Sequence, residues 1–225
     1  MEFPDVELAL HEPDGLLAIG GDLSVERLLL AYRMGIFPWY GPEQPILWWS
    51  PDPRLTLHPD RLHISRSLAK TLRKGKFTIT VDTDFHGVIA ACAEPRAGQT
   101  GTWITPEMIA AYSRLYAAGH AHSVECWYRG ALAGGLYGVS IGRVFYGESM
   151  FTRIADASKA ALATLVQQLA RWDFELIDCQ VHTEHLEGLG ASLMKRAEFT
   201  RILDSACRLP PPTLPWAFDV DTGRV

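Results

Sequence analysis

The run SVECWYRGALAGGLYGVSIGRVFYG, Ser123 to Gly147, decides the fold class. Its apolar segments 123–128, 131–140 and 143–147 are separated by Arg129-Gly130 and Ile141-Gly142. Two-residue junctions containing glycine make tight hairpin turns, so the run predicts an antiparallel meander. Downstream, 158–172 carries helical periodicity and leads into a strand at 175–182, a helix at 184–190 and a final strand near 199–203. Upstream, helices are predicted at 84–93 and 105–118, the second opened by Pro106 and Glu107 and closed by Gly119. Ser65 can cap a further helix ending at Lys74-Gly75, and Phe77 to Val81 has strand composition. The order is α+β, built on one mixed, largely antiparallel sheet flanked by helices, and unlike a doubly wound dinucleotide fold.

Before residue 60 the pattern changes. Leu16, Leu17 and Ile19 form a short apolar run, Gly20-Gly21 a turn, and Ser24 to Met34 a helix closed by Gly35. A stretch dense in proline and tryptophan follows, with Pro38, Pro42, Pro45, Pro51 and Pro53 among Trp39, Trp48 and Trp49. Proline at this density predicts a rigid irregular loop whose aromatics form a stacking wall. The expected division is a small N-terminal α/β domain over 1–60 and a larger domain over 61–225. The Pro210-Pro211-Pro212 tail is expected to lie extended on the surface.

The 225 residues suffice for a sizeable core, and 21 basic against 26 acidic residues argue against a uniformly basic nucleic-acid binder. Glu2, Asp5, Glu7 and Glu12 stand where a signal peptide needs basic residues, and no apolar run approaches a membrane span. The expectation is a soluble cytoplasmic protein with no membrane partner. Cys92, Cys126, Cys179 and Cys207 are widely spaced, which predicts buried free thiols. His182 and His185 flank Glu184, and His120 and His122 are two apart; neither fits a zinc motif, and no phosphate-loop motif occurs, so no metal or cofactor is expected.

Three constellations could carry chemistry. Along 177–182, Asp178, Gln180 and His182 alternate with Ile177, Cys179 and Val181. This is either an edge strand with a solvated polar face or a buried carboxylate and amide able to orient an amine. Glu148 and Ser149 follow Phe145-Tyr146-Gly147, where Phe151 replaces the second glycine of a nucleophile elbow. Glu148 therefore either pairs structurally or serves a site. Arg66, Lys70, Arg73 and Lys74 share one helix face, and no acidic residue occurs from Arg61 to Val81. A solvated helix face is the plainer reading; beside a tryptophan wall, the patch also suits a phosphate backbone with unpaired nucleotides.

Seven motifs in order resemble the leucyl/phenylalanyl-tRNA--protein transferase family. They are Gly20-Gly21-Asp22-Leu23, Gly35-Ile36-Phe37-Pro38-Trp39, Trp48 to Arg54, His63 to Ser67, Gly101-Thr102-Trp103-Ile104-Thr105, Gly147 to Phe151, and Ile177 to Gln180. The resemblance implies a GNAT-like acyltransferase domain that transfers Leu, and also Phe or Met, from aminoacyl-tRNA to proteins with N-terminal Arg or Lys, creating an N-degron. It implies catalytic roles for Asp178 and Gln180, with Glu148 in amine recognition, and contact between the terminal adenosine and Trp39 and Trp103. It also implies tRNA contact by Arg66, Lys70, Arg73 and Lys74, and an aminoacyl pocket of Leu136, Phe145, Met150, Leu165 and Ile177, with no DNA partner. A CoA-dependent GNAT N-acyltransferase is the alternative. Against it, the turn Arg153 to Ser158 has no glycine to cradle a pyrophosphate and carries Asp156 instead.

Overall fold

The computed structural model describes residues 2–95 and 102–219, so Gly101 of the fifth motif and the last six positions lie outside the described residues. The N-terminal part holds β1 (Leu16–Ile19), α1 (Val25–Arg33), β2 (Phe37–Pro38) and β3 (Leu47–Trp49). The three strands form a small antiparallel sheet in the order β1-β3-β2. Ser24 caps α1 by accepting from the Arg27 amide at 3.4 Å. Gly35, just past the helix, has φ +75°, and a Cβ there would lie 2.9 Å from the Phe199 ring. Conformation and space both require glycine at that position.

The expectation of an irregular Pro/Trp loop is corrected here: Leu47–Trp49 is the central strand of the small sheet. Three residues between Pro45 and Pro51 are enough to pair on both sides, and Pro38 falls on edge strand β2, where a missing amide is tolerated.

The rest of the chain forms β4 (Arg54–Leu57), α2 (Arg66–Arg73), β5 (Thr78–Val81), α3 (Phe85–Ala93), α4 (Pro106–Ala117), β6 (Ala121–Tyr128), β7 (Ala131–Ile141) and β8 (Val144–Thr152). Then follow α5 (Ala157–Arg171), β9 (Leu176–Gln180), α6 (Glu184–Glu187), β10 (Ser192–Met194) and α7 (Arg196–Ala206). Seven strands make one sheet in the order β10-β4-β9-β8-β7-β6-β5, antiparallel except for the parallel pair β8 and β9. The α+β architecture and the meander are as expected. The strand expected near 199–203 is instead part of α7, because Phe199, Leu203 and Ala206 bury one face at helical spacing. Residues 54–57 already belong to the large sheet, ahead of the boundary expected near 60.

Helices cover both faces of the sheet. On one, α1, α3, α4 and α7 pack against Tyr137, Val139, Val144, Tyr146 and Leu176, and Trp48 of the small sheet joins the same core. On the other, α5 and α2 pack against Leu55, Leu136, Phe145 and Ile177. The C-terminal tail is more than a surface strand: Trp216 is 5% exposed and stacks on His122 with ring centroids 3.6 Å apart. No helix among the described residues is long and apolar enough to cross a membrane.

Two irregularities position the site. Tyr137 pairs with Ser149 and Gly138 with Gly147, leaving Glu148 as the extra residue of a β-bulge in β8. Tyr146 and Phe151, five apart, both reach the α1/α4 face, and Phe145 and Met150 both pack toward α5. Period-two alternation cannot do that without one inserted residue, which re-aims its own side chain. The β8/β9 pairing ends at Tyr146 and Asp178, and Glu148 and Gln180 follow immediately after it.

Candidate functional site

A cavity of about 420 Å³ opens where β8 and β9 stop pairing. Leu136, Phe145, Met150 and Ile177 form its apolar side, and Trp103 stands on its wall. Leu165 does not line it: that side chain is wholly buried in the core beneath, and Leu162, one turn earlier on α5, takes the place at the wall. The correction is a matter of helical phase, since residues three apart on one helix share a face but differ in depth.

Glu148 is the polar centre. Its Oε1 accepts from the Tyr32 hydroxyl at 2.7 Å and from the Gln180 amide at 3.1 Å, and its Oε2 accepts from the Tyr112 hydroxyl at 2.8 Å. The two tyrosine oxygens also lie within hydrogen-bond distance of each other, a bond that needs a third proton and therefore the protonated form of Glu148. Burial pushes the Glu148 carboxyl up from 4.5 to about 7, and the tyrosine hydrogen bonds oppose that rise. Burial also raises Tyr32 and Tyr112 well above the ordinary phenol range, so both remain donors. A carboxyl that is half ionised near neutrality and faces an open cavity can accept a proton and return it.

Asp178 does not line the cavity. It is fully buried on the opposite face of β9, where Arg54 Nε donates to Oδ1 at 2.8 Å and Arg54 Nη2 to Oδ2 at 2.7 Å. The Gln180 backbone amide also donates to Asp178 Oδ1, at 2.9 Å. Direct contact between Asp178 and an acceptor amine is therefore corrected: both oxygens are already engaged inside the protein. The solvated-edge reading of this strand also fails, since β9 lies between β4 and β8 and all five residues are buried. Gln180 has φ +58°, a left-handed conformation that costs about 1–2 kcal/mol for a non-glycine residue, and its side chain reaches the cavity.

Trp39 is 44% exposed, lies 5.8 Å edge-on to Trp49, and is not part of the cavity wall that Trp103 joins. Arg66, Lys70 and Arg73 are exposed on α2, as is Lys74 at its C-terminal cap, while Leu68 and Leu72 of the helix face the core. None of the four forms an ion pair among the described residues. His182 is exposed and bonds Glu187 at 3.1 Å, while His185 stands on the cavity wall. Cys179 also lines the cavity, but burial pushes its thiol far up, so it is a neutral wall group and not a nucleophile. Among the described residues, no cluster of three or more His, Cys, Asp or Glu is arranged to hold a metal.

Sequence reasoning gave no place in the site to Arg54, Tyr32, Tyr112, Leu162 or His185, although Arg54 closes one family motif and His185 is weighed as a zinc ligand. The first three come from elements far from residue 148 in the chain, and no local pattern ties them to it. Leu162 lies within a helix that was itself predicted, so its face could have been found from the helical period.

A family model described as leucyl/phenylalanyl-tRNA protein transferase matches residues 56–204, and a model for the N-terminal domain of the same family matches 21–52. A leucyl/phenylalanyl-tRNA--protein transferase of Thiobacillus denitrificans is 59% identical over 217 residues, covering 96% of this chain and 95% of that one. One from Alkalilimnicola ehrlichii is 59% identical over 224 residues, covering 99% of this chain and 87% of its own. Among solved structures, a GCN5-related N-acetyltransferase from Kribbella flavida overlaps 74% of this chain and 60% of that one at 13% identity. Its TM-score is 0.38, a likeness too slight to argue from.

Proposed function

Because this chain belongs to the leucyl/phenylalanyl-tRNA protein transferase family, we propose that it transfers an aminoacyl group from aminoacyl-tRNA to the α-amino group of an acceptor protein. The observation that carries the mechanism is Glu148, held by three donors at the end of an apolar cavity. The donor is an activated ester, so the site needs mainly to align amine and carbonyl and to move a proton. The neutral amine attacks the ester carbonyl; a C–N bond forms and the bond to the ribose oxygen breaks. The proton leaving the amine passes to the Glu148 carboxylate, and Glu148 then protonates the departing ribose oxygen. Gln180 holds Oε1 of Glu148 in place during this exchange.

Leu is the expected donor residue, with Phe and Met also admitted, because an apolar wall distinguishes one methylene by only about 1–3 kcal/mol. Acceptors with N-terminal Arg or Lys suit a cavity whose polar centre becomes anionic near neutrality. Trp103 is proposed to stack on the terminal adenosine, with Trp39 outside the cavity along the strand path, and the α2 cations to follow the tRNA backbone. Marking proteins for degradation in the cytoplasm belongs to the same reading. CoA use fits less well: Asp156 sits at the start of α5 with φ +72°, its carboxylate accepting from Thr71 Oγ1 at 3.1 Å. A negative charge at that helix end disfavours pyrophosphate.

Incubation with leucyl-tRNA and an Arg-starting peptide, followed by mass spectrometry, tests the reading. A gain of one leucyl residue that ribonuclease abolishes is expected. Acetylation from acetyl-CoA with no aminoacyl transfer would replace this reading with the CoA-dependent one.

A further inference from the structure

We infer that Arg54 is a positioning residue for the transfer reaction: it clamps Asp178, and Asp178 fixes the Gln180 backbone so that the Gln180 amide reaches Glu148. The inference rests on the proposed transferase reading and gives Arg54 and Asp178 a role that neither fulfils by touching substrate.

The chain of contacts is continuous. Arg54 is 1% exposed and binds both oxygens of Asp178, which has no exposed surface. Its remaining nitrogen, Nη1, donates to the Gly35 carbonyl at 3.1 Å, and its guanidinium lies between the rings of Phe37 and Phe199, 4.7 and 4.8 Å from their centroids. A planar fork with every direction occupied has one rotamer available, which a flexible ammonium would not. Asp178 then presents Oδ1 to the Gln180 amide at 2.9 Å, just where the backbone enters the left-handed region. A strained residue persists only where its surroundings over-determine it. From that backbone the Gln180 side chain crosses to Glu148 Oε1 at 3.1 Å.

Five separate segments meet at the guanidinium: β2 through Phe37, the turn after α1 through Gly35, β4 through Arg54 itself, β9 through Asp178, and α7 through Phe199. The clamp thereby ties the N-terminal part of the chain and the last helix to one catalytic amide. An ion pair kept so deep is a doubtful source of stability, since apolar replacements of similar volume often fold as well or better. Geometry is the better account of its presence.

The test compares Asp178→Ala, Asp178→Asn, Arg54→Met and the apolar pair Arg54→Met/Asp178→Leu. Each is measured for kcat and peptide KM in leucyl transfer, for leucyl-tRNA affinity, and for hydrogen exchange of the Gln180 amide by NMR. Asparagine keeps an oxygen at the Oδ1 position, so Asp178→Asn is expected to hold kcat within about tenfold of wild type and to keep the Gln180 amide protected. Asp178→Ala and the apolar pair are expected to lose about a hundredfold or more in kcat, with KM and tRNA affinity changed less than about threefold and the amide unprotected. The apolar pair leaves no buried charge unpaired, so it serves where Arg54→Met or Asp178→Ala fails to fold.

Asp178→Asn as inactive as Asp178→Ala, with the Gln180 amide still protected as in wild type, would overturn the inference and make the carboxylate itself a proton carrier. Wild-type kcat in the apolar pair would overturn it by showing the clamp dispensable. If wild-type protein transfers nothing, the transferase reading falls, while exchange of the Gln180 amide still decides whether Asp178 and Arg54 hold that backbone.

Discussion

Glu148 combines two opposed influences: burial favours its neutral form and the hydrogen bonds from Tyr32 and Tyr112 favour its charged form, leaving it half ionised at about 7. As the proton acceptor it works when ionised, so kcat/KM should rise as pH increases through about 7 and on through about 8, where the acceptor α-amine becomes neutral, and level off above. Glu148→Gln should lose about 10²–10⁴ in kcat in a stopped-time transfer assay and leave only the rise set by the acceptor's α-amine, whose reference pKa is about 7.7–8.0. Tyr32→Phe removes a donor that favours the carboxylate. The limb should then move to higher pH, and the midpoint of the kcat/KM profile reads the shift. The carboxylate and the amide at 148 and 180 were legible as chemistry-bearing residues from their strand setting. Their partners were not, because Tyr32 and Tyr112 lie 116 and 36 positions away from Glu148 and meet it only through packing.

At the scale of the element, α2 and α5 do different work. The α2 cations face outward with no acidic partner among the described residues, so Arg66→Glu should weaken binding of several tRNAs alike. Filter binding across a salt series should show the slope reduced by about one, as for a single phosphate contact. A loss confined to one tRNA would point to base reading instead. On α5, Leu162 supplies the wall position first assigned to Leu165. Leu162→Phe should narrow the pocket and shift donor preference from Phe toward Leu by about tenfold in kcat/KM, measured with the two charged tRNAs in competition. The helix was predictable from its period, and so in principle was the face; depth along that face depends on how far the sheet twists away beneath it.

For the whole molecule, the C-terminal tail acts as a closing strap. Trp216 stacks flat on His122, which is itself bound to Asp82 at 2.7 Å, and it also packs near Trp172, Phe174 and Phe145. Trp216→Ala should cost about 3–5 kcal/mol and lower the melting temperature by roughly 6–20 °C. Transfer kcat at 25 °C should fall far less than stability does, because Trp216 is not itself part of the cavity wall and reaches it through Phe145, with ring centroids 6.3 Å apart. Thermal unfolding with a parallel activity assay checks both. The tail was expected to run extended on the surface, and 208–215 are largely exposed there; Trp216 just beyond them is buried and pins the segment to the core.

Local sequence determined the meander, most helices and their caps, since these depend on period, turn chemistry and neighbours within a few residues. It also determined family membership, through motifs spread along the chain. Tertiary structure alone decided which face Asp178 occupies, that Glu148 is the bulged residue, and that Arg54 locks the strand carrying Gln180. It likewise turned 199–203 into a helix face packed against the guanidinium. The physical reason is common to all four. A strand's register, its bulges and the partners of a buried charge are fixed by contacts between segments distant in sequence, and period-two alternation carries no record of them.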